Sequence, residues 1–117
     1  MTAMAKELTD DDLRTLSGKI EILPPPKASG GVDKEKLERG KAILAKEPCG
    51  SCHGKRFEGY NNVPRIANQR EDYLLKALRD YKSGRRIGYG NAAMPETLGA
   101  LSDAELADVA HALANLK

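Results

Sequence analysis

Aromatic residues are scarce in this sequence: its 117 residues include no Trp, one Phe and four Tyr. A chain of this length has room for one domain and an appendage, and these side chains supply little bulk for its core. A bound cofactor would add apolar bulk, so the composition is compatible with a cofactor without requiring one.

A strong charge of one sign is also lacking, because 19 Lys and Arg face 17 Asp and Glu, for a net charge of +2. So mild a balance gives no reason to expect a nucleic-acid partner.

No stretch approaches the roughly 20 apolar residues of a membrane span. The first twelve residues lack the basic flank and apolar run of a signal peptide, so we expect any export signal to have been removed or to lie outside this chain.

Hydrophobic periodicity predicts an all-α chain in three parts. Residues 1–23 form an N-terminal helical segment, and residues 24–32, with three prolines in a row and a Gly pair, form a linker. Residues 33–117 form the main domain. The predicted helices span 9–21, 34–46 and 71–83, followed by a last helix with the Ser102 and Glu105 capping box, and the predicted loops span 54–68 and 85–99.

The beginning of the chain repeats a pattern found near its end. The matching residues, with no gap, are Met1, Leu8, Thr9, Asp10 and Leu13 against Met94, Leu101, Ser102, Asp103 and Leu106. This match predicts that residues 1–23 are the tail end of a preceding copy of the main domain. The alternative is a chance likeness between two capped amphipathic helices.

The only two cysteines lie in the sequence Cys49-Gly-Ser-Cys52-His53. Two thiols at this spacing can each add to one haem vinyl group, and the following His then becomes an axial iron ligand. A zinc site usually has about four protein ligands, whereas beyond this motif the chain has no further cysteine and only one other histidine, His111. A redox disulfide is expected beside a strand–helix unit, and no strand is predicted. The motif therefore predicts covalent attachment of haem through Cys49 and Cys52, with His53 on the iron.

At these residues the chain resembles the class I cytochromes c, most closely a single C-terminal domain of the dihaem cytochrome c4 type. The resemblance covers about residues 33–117. It rests on Gly40, on the segments 49–54, 63–69 and 73–84, and on Met94 before the last helix. The sequence departs from the family where the first and last helices cross, since Leu44 and Ala112 stand where aromatic residues are common. This departure predicts looser packing there.

The resemblance implies a cytochrome c fold, with helices wrapped around one covalently bound haem c, and single-electron transfer in the bacterial periplasm. It also implies that Met94 is the sixth iron ligand and that the Pro64 carbonyl accepts a hydrogen bond from the axial imidazole. The alternatives are purely structural roles, namely core filling for Met94 and an ordinary loop position for Pro64. His/Met ligation would raise the potential relative to two imidazoles.

Redox proteins are the expected partners, namely an oxidase, a reductase or a dehydrogenase. A second cytochrome domain or a second copy of this chain is a further candidate. No catalytic constellation is evident, so the chain is expected to be an electron carrier or the haem relay domain of a larger periplasmic dehydrogenase or oxidase. A haem sensor or peroxidase needs an open sixth position, and Met94 argues against one.

Other polar residues can be explained either by an ordinary structural or surface role or by a function. His111 lies off the apolar stripe of the last helix, so we expect a solvated histidine. The cations Lys76, Arg79, Lys82, Arg85 and Arg86 are expected to form a solvated face or, alternatively, a docking patch for an acidic partner. Candidates for haem-propionate contacts, each more readily explained as a surface or packing residue, are Tyr60, Gln69, Tyr73, Arg85, Arg86 and Asn91.

Overall fold

The computed structural model describes residues 2–24, 31–86 and 93–116. Within these ranges the regular structure is all helical, and the only β-type pairing is a single bridge between Tyr60 and Val63. The helices are α1 (Thr2–Ala5), α2 (Asp10–Glu21), α3 (Lys34–Lys46), α4 (Cys49–His53), α5 (Glu71–Lys82), α6 (Ala93–Gly99) and α7 (Asp103–Ala114). No helix in these ranges is long and apolar enough to cross a membrane. The predicted all-α class is confirmed.

Local capping signals place the helix beginnings where the sequence predicts them. The Asp33 side chain accepts the backbone N–H of Lys36 at 3.0 Å and thereby begins α3. At α7, the Ser102 hydroxyl accepts the Glu105 N–H at 3.3 Å, while the Glu105 carboxylate accepts the Ser102 N–H at 2.7 Å. These contacts complete the predicted capping box, and they involve only residues close together in the chain.

The loop predicted over 85–99 is wrong for its second half, because Ala93–Gly99 forms α6. Pro95 is the third residue of that helix, and a proline is tolerated in the first turn because the N–H groups there have no partner within the helix. Residues 87–92, which include Asn91, lie outside the described ranges. A further difference is that the haem motif itself is helical, as α4.

Helix α7 lies at the centre of the packing, because it contacts both α3 and α5, and α5 in turn contacts α6. The buried core is built almost wholly of leucine and alanine, as the scarcity of aromatic residues requires. Its members are Leu44, Leu74, Leu78, Leu98, Leu101, Leu106, Val109, Ala110, Ala112, Leu113 and Ala114.

The crossing of α3 over α7 is close, which corrects the looser packing that the sequence predicted. A Cβ added at Gly40 would lie 2.6 Å from the Ala112 Cβ and 2.7 Å from the backbone carbon of Asp108. Ala112 is fully buried, and Leu44 is 8% exposed. The two small residues, Gly40 and Ala112, let the helix backbones approach each other, so the missing aromatic bulk is replaced by backbone contact.

The prediction of a solvated His111 is wrong, since this residue is only 3% exposed. Its Nε2 accepts the backbone N–H of Asp33 at 3.1 Å, and its Nδ1 lies 2.8 Å from Glu71 Oε2. Lys36 Nζ binds the other oxygen of the same carboxylate at 2.8 Å. Burial alone would raise the pKa of Glu71, but the hydrogen bonds from Lys36 and His111 outweigh it and lower that pKa. The histidine thus links the beginnings of α3 and α5 to α7.

The N-terminal segment has a different character from the rest of the chain. Helix α2 contains no buried residue. Its apolar residues, which lie at helical spacing, are exposed: Leu13, Leu16 and Ile20, followed by Ile22 and Leu23 just beyond the helix. Residues 25–30 of the predicted linker lie outside the described ranges.

Candidate haem-attachment site

Helix α4 is a single turn that carries all three residues of the attachment motif. Ser51 stabilises its first turn, since both its backbone N–H, at 3.1 Å, and its hydroxyl, at 2.5 Å, donate to the Pro48 carbonyl. Cys49 and Cys52 are three positions apart, and residues at this spacing lie on the same side of a helix. Both thiols are free, so neither is consumed by a disulfide.

The two thiols differ in their surroundings. Cys49 is half-buried and packs against the hydrophobic core, whereas Cys52 is exposed. Burial raises the pKa of the Cys49 thiol, and the nearby Glu47 carboxylate acts in the same direction. Cys49 is therefore held as the neutral thiol at neutral pH, fixed at the edge of the core.

His53 is 7% exposed, and its Nδ1 lies 2.8 Å from the carbonyl oxygen of Pro64. A carbonyl oxygen only accepts hydrogen bonds, so Nδ1 must carry the proton and donate it. In the neutral tautomer that this contact favours, Nε2 carries no proton and its lone pair is available, and Nε2 has no hydrogen-bond partner among the described residues. A neutral imidazole held in this way is the form that binds a metal ion.

The segment 54–68 has no regular structure, but backbone hydrogen bonds fix its path. Gly59 N–H donates to the His53 carbonyl at 2.8 Å, and the N–H groups of Ile66 and Ala67 both donate to the Phe57 carbonyl at 3.0 Å. Its end is tied to α7, because Asn68 N–H donates to the Leu113 carbonyl at 2.8 Å. The segment therefore folds back over α4 and brings the Pro64 carbonyl to His53.

Gly59 positions the Pro64 segment, a role that the sequence alone does not predict. Its φ is +77°, and a Cβ there would lie 2.7 Å from the Pro64 carbonyl carbon and 2.8 Å from the Val63 oxygen. Only glycine combines this left-handed conformation with so close a backbone approach. The turn-rich sequence Gly59-Tyr-Asn-Asn62 indicates a turn, but it does not indicate which backbone segment would pack against the glycine.

Met94 comes from a separate part of the chain. It is the second residue of α6, is half-buried and packs against the hydrophobic core. The structure therefore brings Cys49, Cys52, His53 and Pro64 together through α4 and one hydrogen bond, and it places Met94 on another element that adjoins the same core.

The candidates for haem-propionate contacts are largely engaged with other protein groups. The Arg86 guanidinium lies 4.9 Å from the centroid of the Tyr81 ring and donates to the Tyr73 hydroxyl at 3.5 Å. Arg85 pairs with Asp80 at 3.1 Å. Tyr60 is 70% exposed. Arg86 thus contacts one other candidate, Tyr73, and Tyr73 lines a surface pocket together with Gln69, but these contacts do not include Tyr60 or Arg85.

The donor set fits a haem better than a zinc ion. Among the described residues, no group of three or more His, Cys, Asp and Glu side chains could hold a metal ion. His111, the other histidine, is occupied by Asp33 and Glu71. Two free thiols and one imidazole with an available nitrogen remain, which are the groups that a c-type haem uses for covalent attachment and for one axial ligand.

Comparisons with known proteins agree with this donor set. The Cytochrome c family model matches residues 37–117. The chain is similar to "Cytochrome c-552" of Acidithiobacillus ferridurans, at 28% identity over 99% of the chain and 52% of the relative. It is also similar to "Thiosulfate dehydrogenase electron acceptor" of Stutzerimonas stutzeri, at 28% identity over 99% of the chain and 58% of the relative.

Among solved structures, cytochrome c4 of Acidithiobacillus ferrooxidans matches with a TM-score of 0.76 and 28% identity, over 99% of this chain and 71% of that one. The chain spans about half the length of the first of these curated relatives. Its likeness therefore extends through the N-terminal segment and covers only part of each of these proteins.

Proposed function

Because the chain belongs to the cytochrome c family, whose members carry covalently bound c-type haem, we propose that it binds one haem c through Cys49 and Cys52 and transfers single electrons. His53 and Met94 are the two axial ligands in this proposal. The observation that supports it most strongly is the 2.8 Å contact between His53 Nδ1 and the Pro64 oxygen, since it leaves Nε2 available for iron.

When bound, the haem supplies an iron that cycles between Fe(III) and Fe(II), and so accepts or gives one electron without a bond to substrate. The residues of the chain hold this group in place and set its potential. Hydrogen bonding to the Pro64 carbonyl fixes the imidazole ring and raises the basicity of His53. The thioether of Met94 is a soft, neutral donor that favours ferrous iron, so we expect a higher potential than two imidazoles would give.

The context that we propose is the periplasm, with redox proteins as partners. The likeness to a thiosulfate dehydrogenase electron acceptor supports exchange of electrons with a dehydrogenase. The same likeness favours a second form of the proposal, in which this domain is a haem relay within a larger dehydrogenase or oxidase. A haem sensor or peroxidase is a less favoured candidate, because it requires an open position where Met94 would bind.

The N-terminal segment supports the proposal of a neighbouring domain, because its local hydrogen bonds repeat those at the end of α6 and the beginning of α7. Thr9 and Asp12 form a capping box like that of Ser102 and Glu105. Before each box a leucine N–H donates back over three residues at 3.1 Å, from Leu8 to Ala5 and from Leu101 to Leu98. We therefore propose that residues 1–23 are the end of a preceding cytochrome domain, and that the exposed apolar residues of α2 pack against that domain or, failing that, against a second copy of the chain.

Mass spectrometry of the denatured holoprotein tests the attachment. One haem should remain covalently bound after unfolding. The variants Cys49→Ser and Cys52→Ser should each keep a single thioether bond or fail to mature, and the double variant should lose covalent haem entirely. Covalent haem in the double variant would contradict the proposal. Sedimentation of the folded wild-type holoprotein separates a monomer from a self-associated dimer.

A further inference from the structure

The cations near the end of α5 are mostly held by anions of the same chain. Asp80 pairs with Lys76 and, at 3.1 Å, with Arg85. Arg79 forms two hydrogen bonds of 2.6 Å to Asp103. Lys82 donates to the Leu101 carbonyl. We call Lys76, Arg79, Lys82, Arg85 and Arg86 the α5 patch, and its charges are largely committed to contacts within the chain.

A second group of cations lies directly beside the haem-attachment motif. Lys55, Arg56 and Arg65 are exposed, and none of their side chains forms an ion pair within the described residues. Arg65 uses only its Nε, which donates to the Ala67 carbonyl at 3.1 Å. We call these three residues the attachment patch.

One carboxylate, that of Glu58, lies near two of these cations, Arg56 and Arg65. It accepts the backbone N–H of Arg56 at 2.8 Å. Backbone hydrogen bonds, and then the nearby charges of Arg56 and Arg65, hold the pKa of Glu58 below its usual range. Three cations and one carboxylate leave the patch with a net positive charge.

The attachment patch is also close to the proposed iron ligand. Lys55 and Arg56 follow His53 by two and three residues, so their Cα atoms lie within about 8 and 12 Å of the His53 Cα. Arg65 follows Pro64, whose carbonyl contacts the His53 ring. A protein bound at this patch would therefore sit beside the redox centre.

We propose that Lys55, Arg56 and Arg65 form the docking surface for an acidic redox protein, an inference that rests on the proposed electron-transfer function. Cations that form no ion pair among the described residues can bind carboxylates of a partner directly, whereas Lys76, Arg79 and Arg85 would first have to give up Asp80 or Asp103. The α5 patch, with five cations and two carboxylates, adds to the long-range attraction but not to the contact. One electron crosses the docked interface, and no proton moves with it.

Stopped-flow oxidation of the ferrous holoprotein by Cu(II) plastocyanin of the acidic type tests this docking surface. The test variant is Lys55→Gln/Arg56→Gln and the matched control is Lys76→Gln/Arg79→Gln, so that both lose two positive charges. At about 10 mM ionic strength we expect the test variant to react about tenfold more slowly than wild type, and the control less than about threefold. The rates should converge as salt screens the charges.

Oxidation by tris(phenanthroline)cobalt(III), a cationic reagent, should not be slower in the test variant, which separates docking from a change in potential. Equal or greater slowing in the control variant, with normal haem spectra throughout, would overturn the attachment patch as the docking surface. A wild-type protein with no haem spectrum, or one that passes no electrons to plastocyanin at any ionic strength, would instead overturn the proposed function.

Discussion

The backbone N–H of Asp33 donates a 3.1 Å hydrogen bond to Nε2 of His111, which lies 78 positions later in the chain. The other ring nitrogen of His111 lies 2.8 Å from the Glu71 carboxylate. A single buried side chain therefore joins the beginnings of α3 and α5 to α7.

Replacement of His111 with Leu should destabilise the holoprotein by about 1–3 kcal/mol, because the Asp33 N–H loses its acceptor and the Glu71 carboxylate loses a donor, both in part-buried hydrogen bonds. Unfolding by guanidinium chloride, followed by far-ultraviolet circular dichroism, measures the loss. Asn115→Ala, at the C-cap just beyond the same helix, removes a half-buried amide that donates to the His111 carbonyl and serves as the comparison. A His111→Leu variant as stable as wild type would show that the network is dispensable.

The same network predicts a dependence of stability on acid pH. Hydrogen bonds lower the pKa of Glu71 in the folded state below its usual value of 4.5. A lowered folded-state pKa stabilises the fold above the unfolded value, and this contribution disappears as the pH falls through the folded-state pKa. The stability gap between wild type and Glu71→Gln should therefore be present at pH 7 and shrink below about pH 4.5. A gap that stays constant from pH 7 to pH 3 would contradict the lowered pKa.

The close crossing of α3 over α7 predicts that Gly40 tolerates no side chain. Gly40→Ala should destabilise the protein by several kcal/mol or prevent folding, since its Cβ would overlap the backbone of Asp108. Gly18→Ala in α2 is the matched control, because nothing lies within 4 Å of its added Cβ. That change should stabilise its helix by up to about 1 kcal/mol. Thermal unfolding of both variants measures the difference, and a fully stable Gly40→Ala protein would contradict the crossing geometry.

Gly59 offers a test of how the Pro64 carbonyl is positioned. Gly59→Ala should push the Pro64 segment away from His53 and so weaken the hydrogen bond at Nδ1, which should lower the basicity of the ring. We expect a changed reduction potential together with lower stability. Gly84→Ala is the control, because Gly84 also has a positive φ of 73° but has no neighbouring atom within 4 Å of an added Cβ. If both variants have the wild-type potential, Gly59 does not act through His53.

The sequence predicted those features that depend on neighbours in the chain. The beginnings of α3 and α7 follow from Asp33 and from the Ser102 capping box, which are local signals. The burial of His111 could not be predicted from its own helix, because its partners come from the beginnings of α3 and α5. The crossing at Gly40 likewise depends on which residues of α7 it meets.

For the site, the attachment motif is a local pattern, so five consecutive residues suffice to predict covalent haem attachment. The packing of Gly59 against the Pro64 segment could not be predicted from the sequence, since it depends on how the chain folds back at Pro64. The pairing of the α5 cations with Asp80 and Asp103 also requires the folded structure.

The most direct test of the account is the absorption spectrum of the holoprotein in both oxidation states, beside that of Met94→Ala. We expect the ferric wild-type protein to show the weak band of sulfur-to-iron charge transfer at the red end of the visible spectrum, and the variant to lose it. The ferrous wild-type protein should not bind carbon monoxide, whereas the variant should. A wild-type protein that lacks this band and readily binds carbon monoxide would contradict His/Met ligation and favour a sensor or peroxidase.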